Sequence, residues 1–553
     1  MPPPLVLGPL LRHVGETTAT IWVETAAAGQ VEVRSEDGHT TSVPTFAAHG
    51  HHYAIVLVEG LEPGSVQDYQ VAVDGGVVWP VPGDPYPPCR IATLDRSRPS
   101  HFLYGSCRTS VPHDKEGTKS HGVDALRAYA VDMIRDPAHW PDFVLFLGDQ
   151  LYADETSRAM REFIKRRRGL DDPPGPEVKD FVEYAELYRL AWSDPANRWL
   201  LSTLSSAMIF DDHDVRDDWN TSRAWHEEMN KLPWWRDRIK GALASYWIYQ
   251  HAGNLAPDEL RQDEIWRQIA AHDPAEGELD ITEVIEAFAD RVDREPETYR
   301  FSFTRDLGES RLVVIDSRNA RVLEPGKRAM LDAKESRWFD EQLHGDTSHL
   351  FIGTSLPFFL PPAIHDLESI DETMAGGAWG GPRTARLGEK LREAVDLEHW
   401  AAFERSFAHV LQRVVEVARG QHGEAPATIT FLSGDVHNSY ITQVQHERYA
   451  LSSRILQVVC SPIRNPLPRH VRMLQGTLAN WTKRPMRRLA RRLPQVRRPA
   501  YEWDLTHGPW FDNNMGGVEV LGDRLLLTWA RGVVSDGQYD QPRLDRVSTV
   551  LIG

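Results

Sequence analysis

Phe143-Val144-Leu145-Phe146-Leu147-Gly148-Asp149-Gln150-Leu151-Tyr152 decides how the chain is read. Five apolar residues give way at once to Gly-Asp and a polar cluster. A run this short and apolar at every position predicts a strand buried on both faces. Gly148-Asp149 alone would be a turn. With an apolar strand before it and Tyr152 after it, it becomes a candidate site. The pattern recurs in Phe102-Leu103-Tyr104-Gly105-Ser106, Ala207-Met208-Ile209-Phe210, Leu312-Val313-Val314-Ile315, Leu350-Phe351-Ile352 and Thr428-Ile429-Thr430-Phe431-Leu432. Helical stretches separate these runs, so they predict an α/β (or α+β) layered sheet core. Polar clusters at the C-terminal ends of its strands stand where open α/β sheets place ligands.

Outward from this core the composition changes. Residues 4–95 alternate in short β-type runs between turn signals, as in Thr18-Ala19-Thr20-Ile21-Trp22-Val23. With Gly60-Leu61-Glu62-Pro63-Gly64 and the following Tyr69, they predict a small fibronectin type III-like β-sandwich over 1–97. Residues 98–553 are expected to form a second, larger domain built on the sheet core, with helical insertions at about 155–205 and 222–295 and a further helix over 384–420. The tail from 515 returns to β. Within the first insertion, Lys165-Arg166-Arg167-Arg168 reads as a solvated helix face.

The formal charge of −18 disfavours nucleic acid, whose phosphates would be repelled. No apolar run is long enough to cross a bilayer. Met1-Pro2-Pro3-Pro4-Leu5 lacks the basic start of an export signal, so a cytoplasmic location is expected; an exported mature form reads the same. Three cysteines, Cys89, Cys107 and Cys460, make no disulfide framework. Charge is uneven: from Glu447 to Glu502 there is no acidic residue, and 464–498 is rich in arginine. That segment could touch anionic lipid, or form a lid whose arginines pair with the acidic body.

Five clusters at strand ends carry the chemistry: Gly105-Ser106-Cys107-Arg108, Gly148-Asp149-Gln150-Leu151-Tyr152, Asp211-Asp212-His213-Asp214-Val215, Asp316-Ser317-Arg318-Asn319-Ala320-Arg321 and Ser433-Gly434-Asp435-Val436-His437. Several carboxylates at one edge repel unless cations neutralise them. Thiolate, phenolate and imidazole beside carboxylate suit a transition metal, whereas carboxylates alone suit a harder ion. The set points to two unlike metals, an arrangement that clamps both oxygens of an in-line displacement at phosphorus. Each residue also has a plainer reading. Cys89 and Cys460 read as core. Asp211-Asp212 could cap a helix. Arg318 and Arg321 could be surface ion pairs. Tyr104, Trp225, Trp234, Trp235, Trp379 and Trp510 could line a pocket or simply pack.

In order and context these motifs resemble the alkaline phosphatase D-like family, a branch of the calcineurin-like metallophosphoesterases. The late segment Val459-Cys460-Ser461-Pro462-Ile463-Arg464-Asn465-Pro466 resembles it too. The resemblance implies that Cys107, Asp149, Tyr152 and His437 hold iron, and that Asp149, Asp212 and Asp435 hold a second ion such as calcium. It implies that His213 assists leaving-group departure, that Asp214 orients it, and that Arg108, Arg318 and Arg321 take phosphate oxygens. Two departures stand out. Gly353-Thr354-Ser355-Leu356-Pro357 lacks the polar ligand many relatives carry there, and Asp214 stands where Glu is usual. The expected activity is hydrolysis of a small-molecule phosphate mono- or diester. The alternatives are a non-catalytic phosphate-ester-binding or adhesion protein, suggested by the β-sandwich, and a phospholipase-like diesterase working at a membrane surface through 464–498.

Overall fold

The structure, a computed structural model, describes residues 4–324, 326–379, 397–468 and 495–553, with the isolated positions 381, 384, 388, 392, 472, 490, 492 and 493. The apolar runs form strands as expected, but they divide between two sheets. One has the order Ser205–Ile209, Phe143–Leu147, His101–Gly105, Asn514–Leu521, Arg524–Val533, Arg543–Ile552. Its first three strands are parallel and the C-terminal three add antiparallel. The other runs Phe303–Leu307, Ser310–Ile315, His349–Thr354, Thr428–Ser433, Arg454–Val459, Ser439–Val444, Trp503–Trp510. Its four strands from Ser310–Ile315 to Arg454–Val459 are parallel.

Strand periodicity explains why these runs are apolar throughout. Phe351 turns toward the other sheet, where its ring meets Phe102 edge-on at 5.2 Å. Its neighbours Leu350 and Ile352 turn the other way and pack with Phe339, Val410 and Val414 of the helices Ala333–Gln342 and Glu404–Ala418. Gly353 permits the close approach of the sheets, since a Cβ there would lie 3.2 Å from the Leu147 side chain. The strands ending at Gly105, Leu147, Ile209, Ile315 and Ser433 thus deliver all five polar clusters to one edge.

The expected insertions are helical: Arg158–Arg167, Phe181–Trp192 and Pro195–Thr203, then Arg223–Met229, Trp235–Tyr246, Pro257–Gln262, Glu264–Ala271 and Thr282–Arg294. Ser157, Asp180, Asp194 and Ser222 cap four of them by accepting orphan backbone N–H groups. The basic run is not wholly a solvated face. Lys165 and Arg166 are exposed, but Arg168 pairs with the buried Glu183 at 2.8 Å. Of the helix expected over 384–420, Glu404–Ala418 is observed, and most of 384–396 lies outside the described residues. Most of the basic segment 464–498 also lies outside them.

The N-terminal region is β, in two five-stranded sheets that share a core of Ile21, Val31, Val33, Val56, Val71 and Trp79. It is knitted into the rest. Leu279–Asp280 pairs with Phe46–Ala48, and the buried Arg12 donates to Ser206 Oγ at 2.8 Å and to the Gln250 carbonyl at 2.6 Å. Replacing Arg12 with Met would strand these acceptors. The expected result is a loss of about 2–4 kcal/mol of stability, read as a lower melting temperature, with turnover per folded molecule retained.

Candidate metal centre

Each candidate ligand sits where a strand ends and the backbone turns sharply. Cys107, Asp149, Asp435 and His437 all have positive φ, between 47° and 63°. Non-glycine residues avoid this region at a cost of about 1–3 kcal/mol each, and such strain gathers at functional sites. The turns aim the side chains back over the sheet edge. Cys107 N–H donates to the Gly148 carbonyl at 3.3 Å and Asp435 N–H to Ser106 Oγ at 3.1 Å, so neighbouring loops fix one another. Gly434 is essential to that fit, because a Cβ there would stand 1.9 Å from Ser106 Oγ. Gly434→Ala should cost about 1–3 kcal/mol by overpacking and displace Asp435; a melting scan with an activity assay reads both.

Among the described residues three donor groups result; one, Asp212, His213 and Asp217, ends at the exposed Asp217, and the other two share Asp149. Ligand atoms of Cys107, Asp149 and His437 lie within 4.8 Å of one another, and so do those of Asp149, Asp211, Asp212 and Asp435. Asp149 belongs to both. Tyr152 reaches it, its Oη donating to Asp149 Oδ2 at 3.4 Å. Cys107, Asp149, Tyr152, Asp211 and Asp212 are buried, while Asp435, His437 and His213 form a partly exposed rim. Asp211 is the one carboxylate of this set not singled out from the sequence, although it stands inside the quoted cluster.

The electrostatics ask for cations. Burial, together with the charges of Cys107, Asp211 and Asp212, holds the Asp149 carboxyl well above its usual range. Asp212 is pushed up to about 6, again chiefly by burial. Burial likewise pushes the Cys107 thiol up to about 12, so a thiolate there needs a cation beside it. His437 is pushed down to about 4 by burial, which keeps its imidazole neutral as a ligand must be. Among the described residues, Asp149 Oδ1 and Asp211 Oδ2 are buried with no hydrogen-bond partner. Buried carboxylate oxygens rarely stay unsatisfied. The donor set therefore fits a metal: thiolate, imidazole and phenolate on one side, carboxylates on the other.

Four side chains lie otherwise than expected. Asp214 does not orient His213. It accepts backbone N–H groups from Leu151 at 3.0 Å and Asp211 at 2.8 Å, which ties down the loop. Asp154 takes the orienting place, with both carboxylate oxygens 3.0 Å from His213 Nδ1. Arg108 turns away, giving Nη2 to Asp124 at 2.7 Å and Nη1 to the Ala191 carbonyl at 2.7 Å. Arg318 is buried among Asp211, Asp212 at 3.1 Å and Glu398 at 2.5 Å. Arg321 is buried too, against Glu398 at 3.1 Å and the Ser317 carbonyl at 2.8 Å. Buried carboxylates claim these guanidiniums before a substrate could. In the Thr354-Ser355 loop, Ser355 Oγ bonds Ser317 Oγ at 2.8 Å and Thr354 Oγ1 accepts from Trp400 Nε1 at 3.4 Å. Of the aromatic candidates, Tyr104, Trp225, Trp234 and Trp235 are core, and Trp510 packs on Trp529 at 4.8 Å.

Sequence reasoning also missed His399, whose Nε2 lies 3.1 Å from Asp435 Oδ2. No strand-end pattern marks it. Asp154 was closer to hand, two residues past Tyr152 in the same loop.

Comparison with known proteins bears on the family and the fold. A family model described as PhoD-like phosphatase matches residues 120–485, and one described as a domain of unknown function, DUF7800, matches residues 2–91. Among solved structures, one titled "Structure of PhoD" covers 99% of this chain and 90% of its own, at 12% identity and a TM-score of 0.59. A purple acid phosphatase from yellow lupin (Lupinus luteus) seeds covers 98% of this chain and 73% of its own, at 11% identity and a TM-score of 0.48. A search by sequence among curated proteins returned no match.

Proposed function

The chain belongs to the PhoD-like phosphatase family, matched over residues 120–485, and on that premise we propose that it hydrolyses phosphate mono- or diesters with two unlike ions. Cys107, Tyr152 and His437 would hold iron, and Asp211, Asp212 and Asp435 a harder ion such as calcium, with Asp149 shared. Family membership makes the protein a phosphoesterase; the two-ion division is our reading. The observation that carries it is the membership of Asp149 in both the thiolate and the carboxylate donor group. Bound ions would supply an activated water and neutralise charge on the ester oxygens.

The chain's own residues do the rest. With Nδ1 committed to Asp154, His213 turns Nε2, whose nearest carboxylate is the exposed Asp217 at 3.8 Å, toward the leaving oxygen. Burial alone would lower its basicity, but the charge and hydrogen bond of Asp154 hold the imidazolium well above its ordinary range. A protonated histidine at the partly exposed rim suits a general acid. The division into a β domain over 1–97 and a catalytic domain over 98–553 belongs to the same reading. Among the described residues no helix is long and apolar enough to cross a membrane.

The test pairs elemental analysis of the purified protein with turnover of p-nitrophenyl phosphate and bis(p-nitrophenyl) phosphate. Stoichiometric metal is expected, with activity lost on chelation and restored by adding ions back. Full activity in a verified metal-free preparation would overturn the proposal.

A further inference from the structure

We propose that His399, held from behind by Glu368, is a positioning residue for Asp435, and that it sets how tightly the carboxylate half of the centre keeps its ion while leaving the thiolate half alone. This rests on the two-ion reading above. The geometry is a relay of three side chains from separate parts of the fold. Glu368 lies in the helix Pro362–Ala375, and its Oε1 is 2.7 Å from His399 Nδ1. On the far side of the ring, Nε2 is 3.1 Å from Asp435 Oδ2. Glu368 and His399 are buried. Since both ring nitrogens face carboxylate oxygens, the ring cannot turn without breaking a contact at each end.

His399 is also fixed through the chain. The next residue, Trp400, is fully buried and donates its Nε1 to Thr354 Oγ1 at 3.4 Å. The preceding residue, Glu398, grips Arg318 at 2.5 Å, and Arg318 in turn pairs with Asp211 and Asp212. Adjacent residues therefore brace three of the four carboxylates, two through Arg318 and one through His399. Among the described residues, neither Glu398 nor His399 hydrogen-bonds or ion-pairs with Cys107 or His437. The brace is one-sided.

The consequence follows from what Asp435 otherwise lacks. Its main chain is fixed by the bond to Ser106 Oγ, but at the rim its carboxylate could rotate. The His399 bond commits Oδ2 and leaves Oδ1 presented to a cation. Partners that orient a metal ligand in this way typically contribute about 10–100-fold in metal affinity.

Glutamine and asparagine separate positioning from packing. In His399→Gln the amide nitrogen reaches toward the Nε2 place and can still donate to Asp435. In His399→Asn it reaches only toward the Nδ1 place and keeps Glu368 instead. Full-length wild type, H399N, H399Q and E368Q are compared by calcium titration under equilibrium dialysis, by elemental analysis of the tightly held transition metal, and by melting temperature. H399N should weaken calcium binding by about 10–100-fold with transition-metal content unchanged. H399Q should stay close to wild type, and E368Q should shift in the same direction as H399N but less. Equal effects of H399N and H399Q, equal loss of both metals, or unchanged calcium affinity in H399N would each overturn the proposal. If either histidine variant fails to fold, E368Q decides: an unshifted calcium affinity overturns the relay. Wild type that binds no metal would overturn the two-ion reading itself, whereas wild type with two ions and an unaffected H399N would overturn only this inference.

Discussion

Asp149→Asn is expected to lower turnover by at least about 10³-fold, equivalent to about 4 kcal/mol at the transition state, and to deplete both metals together. No other carboxylate should do this. Asp149 is the one residue common to the thiolate and the carboxylate donor group, so its loss removes a negative charge from each. Asp435→Asn, confined to the carboxylate group, should deplete one metal and spare the other. The same substitution should have the opposite sign on the ion-free protein. Without cations, burial and the neighbouring acidic groups hold the Asp149 carboxyl well above its usual range, so at neutral pH folding must either take up a proton there or bury the charge. Asparagine removes that cost, so chelator-treated D149N should melt above chelator-treated wild type, by about 1–3 kcal/mol of stability. Elemental analysis, steady-state kinetics and melting scans with and without chelator read all three effects. Loss of activity with both metals still bound would overturn the bridging role.

The sign of the pH dependence follows from the same charges. In the ion-free protein, burial raises Asp212 from its ordinary 3.8 to about 6, and Asp218, whose backbone N–H donates to Asp212 Oδ2 at 3.1 Å, to about 7. A carboxyl whose folded pKa is raised binds its proton more tightly when folded. The associated stability is fully present below the ordinary value and is lost as pH rises through the raised one. Chelator-treated protein should therefore lose stability between about pH 4 and about pH 7, and added ions should offset much of that loss.

Why the centre was largely legible in the sequence, and its surroundings were not, has a physical cause. Phe143–Leu147 and Thr428–Ser433 are strands buried on both faces, and such strands must be apolar throughout, so the polar residues that end them stand out. Asp149, Asp435 and His437 could be read from that contrast alone. Within Asp211-Asp212-His213-Asp214 the contrast no longer helps, because the chain has left the strand and alternation no longer sorts side chains. There Asp211 turned out to face the cluster, and Asp214 to hold backbone amides. Arg318 and Arg321 looked like phosphate ligands because a guanidinium matches phosphate and carboxylate equally well. Their carboxylate partner Glu398 lies 80 and 77 residues further along the sequence, in a segment with no strand-end pattern. Glu368 and His399 were hidden for the same reason. The division into two sheets was equally out of reach, since an apolar strand reads the same whichever sheet it joins.

His213→Asn should separate leaving-group assistance from attack. If His213 protonates the departing oxygen, its loss matters in proportion to how much that oxygen needs a proton. With an alkyl phosphate the loss should reach about 10²–10⁴-fold, whereas with p-nitrophenyl phosphate, whose phenolate leaves readily, it should be far smaller. Asp154→Asn gives the matching result on pH. Asp154 holds the imidazolium above its ordinary range, and the acid form is present below that raised value and disappears as pH rises through it. Removing the Asp154 charge lowers the value, so the alkaline limb of the rate profile should move to lower pH while the acid limb stays in place. Asp214→Asn should leave the alkaline limb where it is, because Asp214 is bonded to the backbone N–H groups of Leu151 and Asp211 and not to the His213 ring. Rate profiles of the three variants on both substrates decide the matter. Equal losses on the two substrates in His213→Asn would mean that the histidine acts before the leaving group departs. A limb that moves in Asp214→Asn but not in Asp154→Asn would return the orienting role to the residue first expected from the sequence.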